Sequence, residues 1–316
     1  MEGGVSAIRA GSSPLESESC VSNKGKMATV GKPSTPQNYW TNLPKVPSVA
    51  LAVLALTGCG EGFRPEPRTD NPGPRAGWLQ GTTWQDQHLD TKKAAADVPN
   101  VALFGDSLFQ DFGGPKRRVE APGADSFAQH LAPMSTANYG IAGDSAAHLW
   151  FRIRDGLLEP APRVAIILIG ANDVGGPGPS AVVKRIRTVY DEIKKKVPAP
   201  KVGIVQLLPR GDSMAQASRA AEVALDQWAK ENPDVKFRDF GAIFRGPDGR
   251  LREELFESDR LHLSPLGYAR WAPELAKFIR ELDPALPSGT SPARSGSGSP
   301  GRSAKPGEPP RPEPEK

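Results

Sequence analysis

Four short groups of residues in this chain of 316 have the types that acyl transfer needs. Ser107, within Gly105-Asp106-Ser107-Leu108, offers a hydroxyl. A serine hydroxyl attacks a carbonyl only when a base takes its proton, and that base needs an acceptor on its far ring nitrogen to fix the tautomer. Asp259-Arg260-Leu261-His262 holds both partners three residues apart, so His262 reads as the general base and Asp259 as the acid that orients it. The chain has only four His, and His88, His130 and His148 have no comparable partner close in sequence.

Attack on a carbonyl places negative charge on its oxygen, and donors must meet it. Asn172, in Gly170-Ala171-Asn172-Asp173, supplies a side-chain amide; Gly143, in Asn138-Tyr139-Gly140-Ile141-Ala142-Gly143-Asp144-Ser145, supplies a backbone N–H with no side chain in the way. The N–H of Ser107 itself, at the start of a helix, is a third donor. Losing one such donor costs about 3 kcal/mol of transition-state stabilisation. Each group alone has an ordinary explanation, since Asp and Ser cap helices and Asn-Asp makes turns. The conjunction, in the order Ser, Gly, Asn, Asp-x-x-His, is far more specific.

These residues need a scaffold that gathers them on one edge. Val101–Phe104, Arg163–Ile169 and Val202–Leu208 are apolar runs suited to strands buried on both faces, with weaker strands around Ala137–Tyr139 and Val235–Phe240. Helical patterns lie between them, near Ser126–Leu131, Ser145–Gly156, Ser180–Val197 and Met214–Lys230, and Tyr268–Leu282 closes the series. Alternating strand and helix predict an α/β fold: a three-layer α/β/α sandwich on a five-stranded parallel sheet. In such sheets reactive residues collect at the carboxyl ends of strands, where Ser107, Gly143 and Asn172 fall.

Composition narrows the function. A net charge of +4, with basic and acidic residues interleaved, implies no nucleic-acid partner. The cluster Lys194-Lys195-Lys196 closes a predicted helix, where cations suit the dipole. Cys20 and Cys59 both precede the predicted domain, which excludes a thiol nucleophile, a disulfide frame or a cysteine zinc site within it. Residues 46–58 form an apolar run too short to span a bilayer but of signal-peptide length, and Leu56-Thr57-Gly58-Cys59 is similar to a bacterial lipobox. Export to the cell envelope with a membrane anchor on lipidated Cys59 is the expectation, from a start at Met27 if the polar stretch before it is not part of the signal. Cytoplasmic or organellar placement is the alternative. The expected organisation is a leader and tether over 1–83, one catalytic domain over 84–283, and a Pro/Gly/Ser-rich disordered tail over 284–316.

The ordered blocks resemble those of SGNH (GDSL-like) hydrolases: Gly105-Asp106-Ser107 the first, Gly143 the second, Gly170-Ala171-Asn172 the third, and Asp259-Arg260-Leu261-His262 the last. Within that superfamily the chain looks like the catalytic subunits of platelet-activating factor acetylhydrolase. The likeness spans roughly Trp84 to Leu282 and includes Trp150-Phe151-Arg152, Leu207-Leu208-Pro209-Arg210-Gly211 and Leu261-His262-Leu263-Ser264-Pro265-Leu266-Gly267-Tyr268. Ala142 departs from it, standing where the family usually has glycine, and so does the loop Gly175-Gly176-Pro177-Gly178-Pro179. The resemblance implies a flavodoxin-like sheet and a cofactor-free serine esterase acting on short acyl esters, acetyl foremost, of small molecules. A carbohydrate O-acetylesterase acting on a glycan ester, or an idle envelope binding module on the same fold, are the rival readings. Subunits of the resembled family pair, so the resemblance allows a homodimer.

Overall fold

The computed structural model describes residues 63–69, 77–79 and 81–287. The segment around Cys59 and most of the expected C-terminal tail lie outside these residues. Five strands, β1 (Val101–Gly105), β2 (Thr136–Asn138), β3 (Val164–Leu168), β4 (Val202–Val205) and β5 (Lys236–Arg238), form one sheet in the order β2-β1-β3-β4-β5. Every pairing is parallel, and Gly105 stands opposite Leu168 at the carboxyl end of β1. The expected α/β class and five-stranded parallel sheet are therefore the observed ones.

Eight helices surround the sheet: α1 (Trp84–Ala95), α2 (Ser107–Gln110), α3 (Ala124–His130), α4 (Ala146–Arg152), α5 (Pro179–Ile193), α6 (Ala215–Glu231), α7 (Gly241–Phe244) and α8 (Pro265–Leu282). Strand residues alternate between two cores, as the period of two requires. Ala102, Phe104, Ala165 and Ile167 pack with α1, α4, α5 and α6, while Val101, Leu103, Ile166 and Leu168 pack with α3, α7 and α8. On α5 the apolar stripe Val182, Val183, Ile186, Val189, Tyr190 and Ile193 is buried, which is why this stretch was legible as a helix.

Helix α8 starts three residues earlier than the apolar pattern predicts. Ser264 caps it by accepting from the Gly267 N–H, and Pro265 occupies its first turn, where the missing N–H costs nothing. Helix α1 was not expected at all. It buries Gln87, His88, Asp90 and Thr91 and leaves Leu89 44% exposed, so its inward face carries polar groups and hydrophobic periodicity is silent. Each of these polar residues has a partner: Gln87 donates to Thr82, Thr91 to the His88 carbonyl, His88 meets Asp155, and Asp90 takes Arg118 and Lys93.

The packed unit begins well before residue 84. Trp78 bridges Val119 in antiparallel fashion and its indole N–H donates to Gln110. Further upstream Phe63 stacks on Trp150, with ring centroids 5.2 Å apart, and the Glu66 N–H donates to the Ala147 carbonyl. Within the expected leader and tether over 1–83, the aromatic contact and the backbone bond hold Phe63–Thr69 against α4.

Candidate active site

Strand β1 ends at Gly105, where a side chain is ruled out because a Cβ would lie 2.3 Å from the Leu168 carbonyl oxygen. The chain then turns sharply into α2. Asp106 caps that turn, its Oδ1 accepting from the Leu108 N–H at 3.1 Å, and Ser107 follows as the first helical residue, 7% exposed. Burial pushes the Asp106 carboxyl up to about 7 despite the Leu108 N–H, and its Oδ2 has no protein partner. Helix α8 clamps this turn from the other side: Tyr268 Oη donates to the Leu108 carbonyl at 2.9 Å, and Trp271 stacks flat on Phe109 at 5.7 Å.

Gly143 lies in the loop after β2 with φ of +78°, a conformation that L side chains rarely adopt. Asn172 lies just beyond β3, and its Nδ2 donates to the Asp144 carbonyl at 3.0 Å. The N–H groups of Ser107 and Gly143 donate to no protein acceptor among the described residues. Beneath this edge sits a fully buried ion pair, Arg152 with Asp144. Arg152 also donates to the Tyr139 carbonyl at 2.8 Å, and Trp84 donates to Asp144 Oδ1 at 2.7 Å. The loop that carries Gly143 is thus tied to α1 and α4. In the sequence Arg152 stands out only as part of the family likeness Trp150-Phe151-Arg152.

The base pair sits in a separate loop. Asp259 Oδ2 meets His262 Nδ1 at 2.6 Å, and Oδ1 accepts from the N–H groups of Leu261 (2.9 Å) and His262 (3.0 Å). Partial burial works against the Asp259 charge, but the His262 ring and the two N–H groups win and hold its carboxyl below the usual carboxylate range. Arg260 takes a left-handed φ of 58°, anchored by its ion pair to Glu253 and by its carbonyl, which accepts from the Gly211 N–H. With Nδ1 engaged by Asp259, Nε2 is the ring nitrogen left to act on a hydroxyl.

All five predicted site residues, Ser107, Gly143, Asn172, Asp259 and His262, line one cavity of about 540 Å³. Among the described residues no direct hydrogen bond joins Ser107 Oγ to His262; contacts of this kind commonly tighten on substrate binding. Sequence reasoning missed four charged members of the lining: Arg68, Asp111, Glu120 and Glu257. Burial pushes the Asp111 carboxyl up to about 6, with the Asp259 and Glu120 charges adding to the effect and His262 opposing it. His88, by contrast, is buried on Asp155 at 2.8 Å and does not line the cavity. Burial and the Arg152 charge lower it to about 4, so it is a neutral structural histidine at ordinary pH. Among the described residues no group of three or more His, Cys, Asp or Glu is placed to hold a metal ion, and no helix is long and apolar enough to cross a membrane.

The chain is similar to known proteins. Residues 103–270 match the model of the GDSL-like lipase/acylhydrolase family. The platelet-activating factor acetylhydrolase IB subunit alpha2 of Gallus gallus is 27% identical over 205 residues, covering 63% of this chain and 84% of that protein. The alpha1 subunit of Bos taurus is 27% identical over 175 residues, covering 54% and 70%. Among solved structures, a GDSL-like lipase from Bacteroides thetaiotaomicron aligns at a TM-score of 0.47 with 16% identity, over 64% of this chain and 98% of that one. An acetyl xylan esterase variant from Geobacillus stearothermophilus aligns at 0.46 with 21% identity, over 57% and 94%. With the family model running from within strand β1 into α8, and so across the Ser107 turn and the Asp259–His262 loop, this chain belongs to the GDSL-like lipase/acylhydrolase family of the SGNH superfamily and is a hydrolase of ester bonds.

Proposed function

We propose that the chain is a serine esterase that removes short acyl groups, acetyl foremost, through a Ser107-His262-Asp259 triad and an acyl-enzyme. The observation that carries this reading is the convergence of Ser107, the Asp259–His262 pair, Gly143 and Asn172 on one cavity. His262 Nε2 takes the Ser107 proton as Oγ attacks the ester carbonyl. The N–H groups of Ser107 and Gly143 and the Asn172 amide receive the oxyanion, and His262 returns the proton to the leaving alcohol. Water, activated by the same imidazole, then hydrolyses the acyl-serine. Asp259 keeps the imidazole in the productive tautomer and stabilises its charged form.

The lining favours a polar alcohol. Asp111, Glu120 and Glu257 face the cavity, and its apolar side chains are few and small: Pro122, Ala142 and Leu261. A long acyl chain finds little surface to bury there, at about 25 cal/mol per Å² of apolar contact. This supports the second reading, an O-acetylated carbohydrate as substrate. A fluorophosphonate probe tests the chemistry: it should label the native chain and spare Ser107→Ala, and equal labelling of the two would remove the serine from the mechanism. Rates on acetyl against octanoyl nitrophenyl esters, and acetate release from acetylated xylan, then sort acyl and alcohol preference.

A further inference from the structure

The chain upstream of the family match contributes a side chain to the cavity. Phe63–Thr69 runs along α4, held by the Phe63–Trp150 stack, by the Arg185 guanidinium over the Phe63 ring at 5.3 Å, and by the Glu66 N–H on the Ala147 carbonyl. It delivers Arg68 to the loop after β2, where Nη1 donates to the Ala142 carbonyl at 2.8 Å. The approach is so close that a Cβ on Gly143 would stand 1.9 Å from Nη1. Glycine at 143 therefore makes room for the guanidinium as well as satisfying the positive φ.

The Ala142 carbonyl and the Gly143 N–H are the two ends of one peptide group. A cation that donates to the carbonyl draws density from the amide and makes its N–H a better donor, an effect of about 10–30% per bond in hydrogen-bonded chains. The same peptide loop is held from the opposite side, where the Ala142 N–H donates to Gln110 Oε1 at 2.9 Å. We infer that Arg68 is a positioning residue for ester hydrolysis, orienting and polarising the Ala142–Gly143 peptide whose N–H meets the oxyanion. The inference rests on the oxyanion role proposed above for Gly143, and it makes Phe63–Thr69 a working part of the site.

The test uses the full chain with nitrophenyl acetate. Arg68→Met should lower kcat about 10-fold with KM within twofold of native. Arg68→Lys, which keeps a cationic donor, should fall between the two, and added methylguanidinium should restore part of the Arg68→Met rate. Affinity for a boronic acid that mimics the tetrahedral adduct should drop in step with kcat, while inhibition by acetate stays the same. A native kcat in Arg68→Met overturns the inference, and so does a loss that neither lysine nor methylguanidinium repairs. Ser107→Ala separates the two levels: if it hydrolyses the ester as fast as the native chain, the serine-esterase reading itself falls. If it is inactive while Arg68→Met is native-like, only the role of Arg68 falls.

Discussion

The two halves of the site are built by opposite means. The edge that carries Ser107, the Gly143 loop and Asn172 rests on the carboxyl ends of three strands and on the fully buried Arg152–Asp144 pair. The base loop lies apart from the sheet, with side chains 49% exposed at Asp259 and 33% at His262, and it keeps its shape through bonds among its own residues and to Glu253 and Gly211. Buried long-range contacts thus position Ser107, Gly143 and Asn172, while a largely local turn positions Asp259 and His262. The first arrangement couples activity to stability; the second separates them.

The sharpest way to break this comparison is to ask whether the two halves act as one unit. Ser107→Ala and His262→Ala should each lower kcat by roughly 10⁶-fold, and the double variant should lose no more than either alone. Additive losses measured with an acetyl ester would mean that the halves work independently. Matched carboxylate changes come next. Asp259→Asn should lower kcat by roughly 10⁴-fold through the wrong imidazole tautomer, with less than about 1 kcal/mol lost in urea unfolding, as expected at an exposed pair. Asp144→Asn leaves Arg152 buried and uncompensated, so it should cost about 3–5 kcal/mol in the same unfolding experiment. Equal stability losses in the two variants would erase the distinction between the halves.

Asn172→Ala should reduce kcat by about 10²–10³-fold with little change in KM, since the amide meets charge that exists only in the transition state. A rise in KM alone would place Asn172 in ground-state binding. A further expected effect is on the pH dependence of stability. A carboxyl whose pKa rises on folding, from near 4 to about 7 at Asp106, binds its proton more tightly in the folded chain. Between those values the folded state holds more protons than the unfolded one, so stability falls as pH rises. Asp106→Asn should flatten that fall, read as unfolding midpoints from pH 4 to pH 7, and an unchanged slope would assign it to another group.

Legibility in the sequence followed the same division. The apolar runs of β1, β3 and β4 and the stripe on α5 announced the sheet and its cover because burial on both faces leaves a simple pattern. The strand ends then placed Ser107, Gly143 and Asn172 on one edge, and the spacing of Asp259 and His262 was local enough to read directly. Helix α1 stayed hidden because much of its buried face is polar, and His88 and Asp90 are held by residues far away in sequence, Asp155 and Arg118. Arg68 was hidden for a different reason. Its segment has the Gly/Pro/Arg content of a linker, and only the stack of Phe63 on Trp150 and the approach to Gly143 give it a place. Asp111, Glu120 and Glu257 carry no motif, and only the fold brings them to the cavity.

The base loop also has a boundary. Phe256 and Leu263 form an antiparallel bridge at its root, and the Glu257 N–H donates to the His262 carbonyl just inside. The six residues between the bridge partners therefore form a stirrup: the clasp holds its root, the Gly211 N–H and the Glu253 carboxylate hold it at Arg260, and Asp259 and His262 ride on it together. A loop of another sequence that keeps the clasp and the two anchors at position 260 changes the surroundings of Asp259 and His262 without altering a residue of the sheet or of the Ser107 turn.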